Sequence, residues 1–232
     1  MIKLMDTRLP VQPLAAASAP AVAAPDTPAP SGRRGRARSE AEILAVAEEV
    51  FATYGLHGAT TAKIADRAGI PKANIHYYFS TKEALYLRVL KDILEEWLSA
   101  AAFDVEDAAR PALERYIRAK LNYSRERPQA SKVWANEILN GAPLIRAHLE
   151  DRLLAWVDAK AAVIQGWIDR GELAPVDPRH LLFSIWATTQ HYSDFATQIT
   201  ILLRKEALEA DDFEQAAQLL TQMVLGGLAT GR

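Results

Sequence analysis

The sequence predicts an all-α protein: a three-helix N-terminal helix-turn-helix head followed by a larger helical body. Three observations predict it. Apolar residues recur at helical spacing almost throughout. No stretch alternates apolar and polar residues long enough for a strand, and no glycine-rich phosphate loop or internal repeat is present. Glycine, proline and S-x-x-E motifs punctuate the helical pattern at short intervals.

The elements follow in order. Residues 1–30 hold 6 of the 12 prolines and 8 alanines, and read as a disordered tail. Within it LAAASAPAVAAPD offers A-x-A patterns like those of signal-peptide cleavage sites. The apolar region is broken by Pro10, Pro13, Pro20 and Pro25 and little charge precedes it, so a secretion signal is not expected. Ser39 and Glu42 form a capping box, after which Ile43, Ala47, Val50, Phe51 and Tyr54 fall on one face. Gly55 should end that helix. Thr61 to Ala68 is a short second helix closed by Gly69, and Pro71 to Tyr78 a third. Ser80 to Glu83 is another capping box, opening a helix to about Phe103.

Further helices are expected over 109–127, 129–139, 144–170 and 180–196, broken at Pro128, Gly141-Ala142-Pro143, Gly171 and APVDP. A last helix capped by Asp211 or Asp212 should end near Gly226-Gly227. The domains expected are a tail and basic arm (1–38), a helix-turn-helix head (39–82) and a helical body (83–232).

Composition narrows the function. The chain has 232 residues, half of them apolar and 24% charged, as in an ordinary globular protein. It has no cysteine, which excludes disulfides and zinc–thiolate sites and fits a reducing cytoplasm. No apolar run approaches the roughly 18–20 residues of a membrane helix. The net charge of −2 hides an asymmetry: residues 31–91 carry 10 Lys/Arg against 6 Asp/Glu, residues 92–232 carry 15 against 21. A basic head on an acidic body suits a polyanion at one end; surface drift would give the same imbalance.

Residues 61–78 supply what a helix-turn-helix needs, two helices held by a short turn with the second exposed. Ile64, Ala65 and Ala68 face inward, and Ile70 and Ile75 anchor turn and second helix. That leaves Lys72, Ala73, Asn74, His76 and Tyr77 to meet bases and phosphates in a major groove. Thr61 and Lys82 stand near helix N-termini, where phosphate binds well. Arg33, Arg34, Arg36 and Arg38 form an arm suited to an adjacent minor groove. Taken singly each feature has a plainer reading: a turn glycine, a surface histidine, half-buried tyrosines, a solvated basic linker. Their order is more specific.

FATYGLHGATTAKIADRAGIPKANIHYYFSTKEALY resembles the DNA-binding head of the TetR family of repressors over about residues 40–91. Pro71 stands where that family often has serine, and His76 where it has a tyrosine or apolar residue. RERPQASKVWANEILNGAPL and GWIDRGELAPVDPRHLLFSIWATTQHYSDFA resemble the body of a pyrimidine-responsive branch of that family. The resemblance implies a homodimer released from operator DNA by uracil or thymine, with Trp97 at the effector site. A TetR-type sensor of another hydrophobic or heterocyclic ligand is the alternative.

The residues support such a site independently. A planar base needs an aromatic slot and paired donors and acceptors. Trp186 and Gln190 are four apart on one helix and share a face. Trp134 and Asn136 are further candidates, although Trp134, Trp156 and Trp167 also read as core filler.

Dimerisation is expected through two stripes, Leu181-Ile185-Thr189-Tyr192 and Phe213-Ala216-Leu220-Met223-Gly227, with packing inside one subunit as the rival. In such a dimer the recognition helices would lie about 34–36 Å apart on a near-palindrome. His191, Ser193 and Asp194 hold triad residue types but crowd one helix, which does not make a triad. A metal site from His180, His191 and Asp194 matches no ligand signature. No catalysis, cofactor or metal is expected.

Overall fold

The computed structural model describes residues 31–100 and 103–228, with side chains from Glu40 onward. The predicted tail and the side chains of Arg33, Arg34, Arg36 and Arg38 lie outside the described residues. Among the described residues the secondary structure is helical, without a strand.

The head is built from α1 (Ser31–Gly58), α2 (Thr61–Ala68) and α3 (Lys72–Tyr78). α1 buries Ile43, Ala47, Val50 and Phe51. It begins upstream of Ser39, so the Ser39–Glu42 box lies inside the helix rather than at its start. The physical reason is that arginine and alanine are good helix formers and the single Gly35 among them costs only about 1 kcal/mol, so nothing in 33–38 compels the backbone to leave the helix. Gly55 does break the path, at φ 65 and ψ 177, and the chain resumes helical turns to Gly58. α2 starts at Thr60, whose hydroxyl accepts the Lys63 backbone N–H at 3.1 Å. It closes at Gly69, left-handed at φ 66, as a tight turn demands of a residue without Cβ.

α4 (Lys82–Ala100) leaves the head, capped by the Thr81 hydroxyl rather than by Ser80; Thr81 accepts the Ala84 N–H at 3.0 Å. The body continues with α5 (Ala109–Glu126) and α6 (Pro128–Leu139). After α6 both Gly141 (φ 87) and Ala142 (φ 57) are left-handed. The buried Glu137 carboxylate holds this turn by accepting the N–H groups of Leu144 (2.7 Å) and Ile145 (3.1 Å).

The long helix expected over 144–170 is α7 (Arg146–His148), a π-helical turn (Leu149–Leu153) and α8 (Leu154–Asp169). α9 (Pro178–Asp194) is capped by Asp177, whose carboxylate accepts the N–H groups of Arg179 and His180 at 2.8 and 3.0 Å. α10 (Ala196–Leu203) was not foreseen from the sequence. α11 (Ala210–Gly227) is capped by Glu209, with Asp212 completing the box, so Asp212 supports the cap and does not form it. No helix among the described residues is long and apolar enough to cross a membrane.

Two buried clusters hold these elements. One runs from the head through α4 into α6 and joins Phe51, Ile64, Ile75, Tyr86, Ile93, Val133 and Ile145. The Phe51 and Tyr86 rings meet edge to face at 4.8 Å, tying α1 to α4. The other joins α5, α8, α9 and α11 through Leu113, Ile117, Ile164, Trp167, Leu182, Ile185 and Leu220. Each fully buried large side chain contributes about 1.5–3 kcal/mol.

The predicted dimer stripes belong mostly to the second cluster. Leu181, Ile185, Thr189, Phe213, Ala216 and Leu220 are buried within one chain, so packing inside the subunit is their role. Tyr192 is half-buried against Phe213, their rings 6.0 Å apart. Met223 and Gly227 of α11 stay exposed, as do Leu219 of the same helix and Phe183 of α9, 54% and 45% accessible. A stripe read from one helix reports that it is apolar but not which neighbour covers it.

Candidate reading head and effector cavity

α2 and α3 form the predicted pair. Ile64, Ala65 and Ile75 are buried; Ala68 and Ile70 are half-buried. Anchored by Ile75, α3 leaves Lys72, Ala73, Asn74, His76 and Tyr77 exposed on the surface. The Tyr77 ring packs edge to face on Tyr78 at 5.1 Å, and Tyr78 continues to Phe79. This face offers an ammonium, an amide, an imidazole and a phenol, the donors and acceptors that read base edges and phosphates.

Two flanking residues differ from a simple phosphate-binding picture. Thr61 is half-buried in the first turn of α2, one place after the capping Thr60. The Lys82 ammonium donates to the Leu56 and Ala59 carbonyls at 2.7 and 3.1 Å, closing the end of α1. A phosphate contact by Lys82 has to share its charge with those bonds.

The second site is a cavity of about 410 Å³ of empty space, its mouth included. It lies at the seam between the two buried clusters: Trp97 packs on the first, Trp156 and Trp186 on the second, and Leu153 on both. Trp97, Trp134, Trp186 and Gln190 all line it, joined by Leu94, Leu98, Tyr116, Lys120, Leu153 and Trp156. The Trp97 ring lies 5.0 Å from that of Trp134 and 5.5 Å from that of Tyr123. Its indole N–H is buried beside the Tyr123 hydroxyl, without the geometry of a good hydrogen bond. The Trp186 indole N–H donates to the Tyr116 hydroxyl at 2.5 Å, which aligns both rings along one wall.

Electrostatics single out Lys120. It is 8% exposed, with its ammonium 4.1 Å from the centre of the Trp97 ring. Burial pushes its pKa down to about 8, against the pull of the Asp194 charge. Burial likewise raises Tyr116 above its ordinary value, opposed by the bond from Trp186. Asp194 is raised by burial as well, although it accepts from Ser131 (2.5 Å) and Ser193 (3.3 Å) and feels Lys120 and His191.

A chain of contacts leads from the cavity to the head. Trp97 packs on Tyr123, and the Tyr123 hydroxyl lies 3.4 Å from Glu96. Arg127 donates to Glu96 at 2.8 Å and to Glu48 at 2.6 Å, and Glu48 belongs to α1. Cavity wall and head are therefore joined through α4, the α5–α6 junction and α1.

Both parts of the chain are similar to known proteins. Residues 43–89 match the model of bacterial regulatory proteins, tetR family, and residues 90–230 match the YcdC-like protein, C-terminal region. The chain is 42% identical over 201 residues to the HTH-type transcriptional regulator RutR of Escherichia coli K12, covering 85% of this chain and 95% of that one. The chain belongs to the TetR family.

As a TetR-family protein it is a ligand-responsive, DNA-binding transcriptional regulator. Solved structures share the fold at low identity. The ketosteroid regulator KstR2 of Mycobacterium tuberculosis superposes with a TM-score of 0.65 at 22% identity, over 83% of this chain and 95% of that one. A tetR-family protein from Rhodococcus RHA1 gives 0.68 at 21%, over 84% and 99%.

Within this TetR fold three readings of aromatic and polar residues need correction. Asn136 does not line the cavity. It stands two residues from Trp134 on α6, which turns it to another face, and it lines open clefts with Ile138, Leu139 and Phe195 on one side and Tyr86 and Pro143 on the other. Trp156 is a wall of the cavity rather than filler. Trp134 is both, 8% exposed and on the wall, whereas Trp167 is filler, fully buried with its N–H on the Asp107 carbonyl at 2.9 Å.

Tyr116 and Lys120 were missed. The available signal was a lysine on the otherwise apolar stripe Leu113-Tyr116-Ile117-Leu121 of α5, a place where lysine is seldom buried without a purpose. As for the triad and metal readings, His191 stacks on Phe195 at 4.8 Å, and no cluster among the described residues is arranged to hold a metal ion.

Proposed function

We propose that this regulator represses a pyrimidine-catabolic operon and that uracil or thymine, held in the cavity, releases it from its operator. The observation that carries this reading is the convergence of Trp97, Trp134, Trp186 and Gln190 on one enclosed space between the two cores. Aromatic walls suit a flat ring, and an amide complements adjacent C=O and N–H groups. The likeness of the body to a pyrimidine-responsive branch of the family points the same way.

In this scheme residues 39–82 read DNA and residues 83–232 bind effector and partner. Lys72, Asn74, His76 and Tyr77 enter the major groove, with Thr61, Lys82 and the Arg33–Arg38 segment on the backbone and minor groove. The dimer forms across the outward faces of α9 and α11, where Phe183, Leu219 and Met223 are exposed. Effector pressing on Trp97 displaces α4, and the Arg127 contacts carry the displacement to α1. The heads then leave groove register. Coupling of this kind is typically about 1–3 kcal/mol and reciprocal, so operator DNA weakens effector binding by the same factor.

The test combines a thermal-shift panel with operator release. Uracil and thymine should stabilise the protein and dissociate it from operator, whereas non-planar dihydrouracil and unrelated hydrophobes should not. Asn74→Ala should lower operator affinity by about 1–3 kcal/mol while leaving the effector shifts intact. No shift with any pyrimidine removes the effector assignment and leaves a TetR sensor of another ligand. Effector affinity unchanged by saturating operator removes the coupling scheme.

A further inference from the structure

The cavity contains a charge that its own walls do little to satisfy. Lys120 projects from α5 with its ammonium over the Trp97 ring of α4 at 4.1 Å. Among the described residues it forms no ion pair. The carboxylate whose charge reaches it is Asp194 of α9, already committed to Ser131 of α6 and to Ser193, with His191 acting on it from the exposed side. Its other cavity neighbours, Tyr116, Trp186 and Gln190, are neutral. An aromatic face is weaker compensation for a buried cation than a carboxylate with hydrogen bonds, so the site retains affinity for an anion.

We propose that Lys120 makes this cavity selective for planar cyclic acids: of two rings with the same shape, it takes the one whose oxygen edge carries negative charge or gains it most readily by losing a ring proton. The inference rests on reading this cavity as the effector site and goes further by naming the property that ranks its ligands. Stacking between indoles is common to both members of such a pair and does not discriminate. The ammonium does, because a charge-assisted hydrogen bond in a water-poor space is stronger than a neutral one. Preference for the acidic member should be roughly tenfold or more, the ratio expected when a hydrogen bond to a charged group replaces one to a neutral group.

The experiment is a tryptophan-fluorescence titration of the full chain at pH 7 with two matched pairs, checked by calorimetry. Uracil is compared with 5-fluorouracil, whose fluorine acidifies the ring N–H with little change of size. Benzoate is compared with benzamide, a charged and a neutral ring of like shape. The wild type should favour 5-fluorouracil and benzoate. Lys120→Met should bind both members of each pair alike while retaining operator binding, and Lys120→Arg should restore the preference. The same ranking in Lys120→Met, or no ranking in the wild type, overturns the proposal. Should Lys120→Met fail to bind operator, the wild-type ranking and its survival in Lys120→Arg decide.

The two readings fail separately. Pyrimidines that bind without regard to acidity leave the pyrimidine effector in place and remove the role of Lys120. Benzoate favoured over benzamide through Lys120, with no pyrimidine bound, removes the pyrimidine effector and keeps the charge selectivity. Binding of neither pair overturns both.

Discussion

The reading head and the effector cavity use similar chemical groups in opposite settings. On α3, Lys72, Asn74 and His76 stand in water, fixed by Ile75 beneath them. In the proposed scheme their desolvation is deferred until DNA arrives, so the folded head carries little strain from that function. In the cavity, Lys120, Tyr116 and Trp97 are already out of water, with shifted protonation or an unsatisfied N–H. Their cost is present in the free protein, and in the proposed scheme a ligand relieves it. An outward site thus gains specificity on contact, whereas an inward site stores it in advance, at the seam where two cores meet.

The most severe way to break this comparison is Trp186→Ala. It removes a cavity wall and the partner of Tyr116, and should cost about 3 kcal/mol in chemical denaturation, the low end for tryptophan because the ring is half-buried. Below the lowered melting temperature operator binding should persist, because the head packs on the other cluster. Loss of operator affinity in the folded variant would show that the sites are not separable.

A smaller effect is expected from pH. The Lys120 pKa lies near 8 in the folded chain against 10.5 in the unfolded one. Between those values the unfolded chain binds a proton that the folded chain does not, so raising the pH favours folding, by up to about 1.4 kcal/mol per pH unit. Tyr116 opposes this above its ordinary value of 10.0, because burial keeps it protonated in the fold while the unfolded chain ionises. The gain should therefore appear between pH 8 and 10 in wild type and be absent in Lys120→Met. Equal slopes in denaturant titrations would place Lys120 in a wetter setting.

The smallest stability effect belongs to the link between the sites. Arg127→Gln breaks ion pairs to Glu48 and Glu96 whose arginine side chain is 41% exposed, and should cost about 1 kcal/mol or less. Its functional signature is larger. Effector and operator should each bind nearly as in wild type, while effector shifts operator affinity several-fold less. Unaltered coupling would move the transmission route to the contact between α1 and α6.

How much of this was legible in the sequence differs between the sites for the same reason. The head is local: Thr60, Gly69, Pro71 and Thr81 set its turns within a few residues, and Ile64, Ile75 and their spacing decide which side faces out. The cavity is assembled from α4, α5, α6, α8 and α9, with Leu153 from the π-turn, so no local pattern marks it. Trp186 and Gln190 were readable as a pair on one helix. Asn136 was misplaced because its face depends on what covers α6, and the place of Lys120 on the apolar stripe of α5 marks it as buried without saying which space it enters.

The sequence by itself determined the helical class, most of the helices and the breaks at Gly69, Pro128 and Gly171, the exposed set on α3 and the absence of thiol chemistry, since these depend on the dihedral preferences and hydrogen-bonding groups of near neighbours. Tertiary structure decided which apolar stripes became core, which tryptophans became cavity walls, and that one lysine is held among them. Burial and its electrostatic cost arise only when distant segments exclude water together.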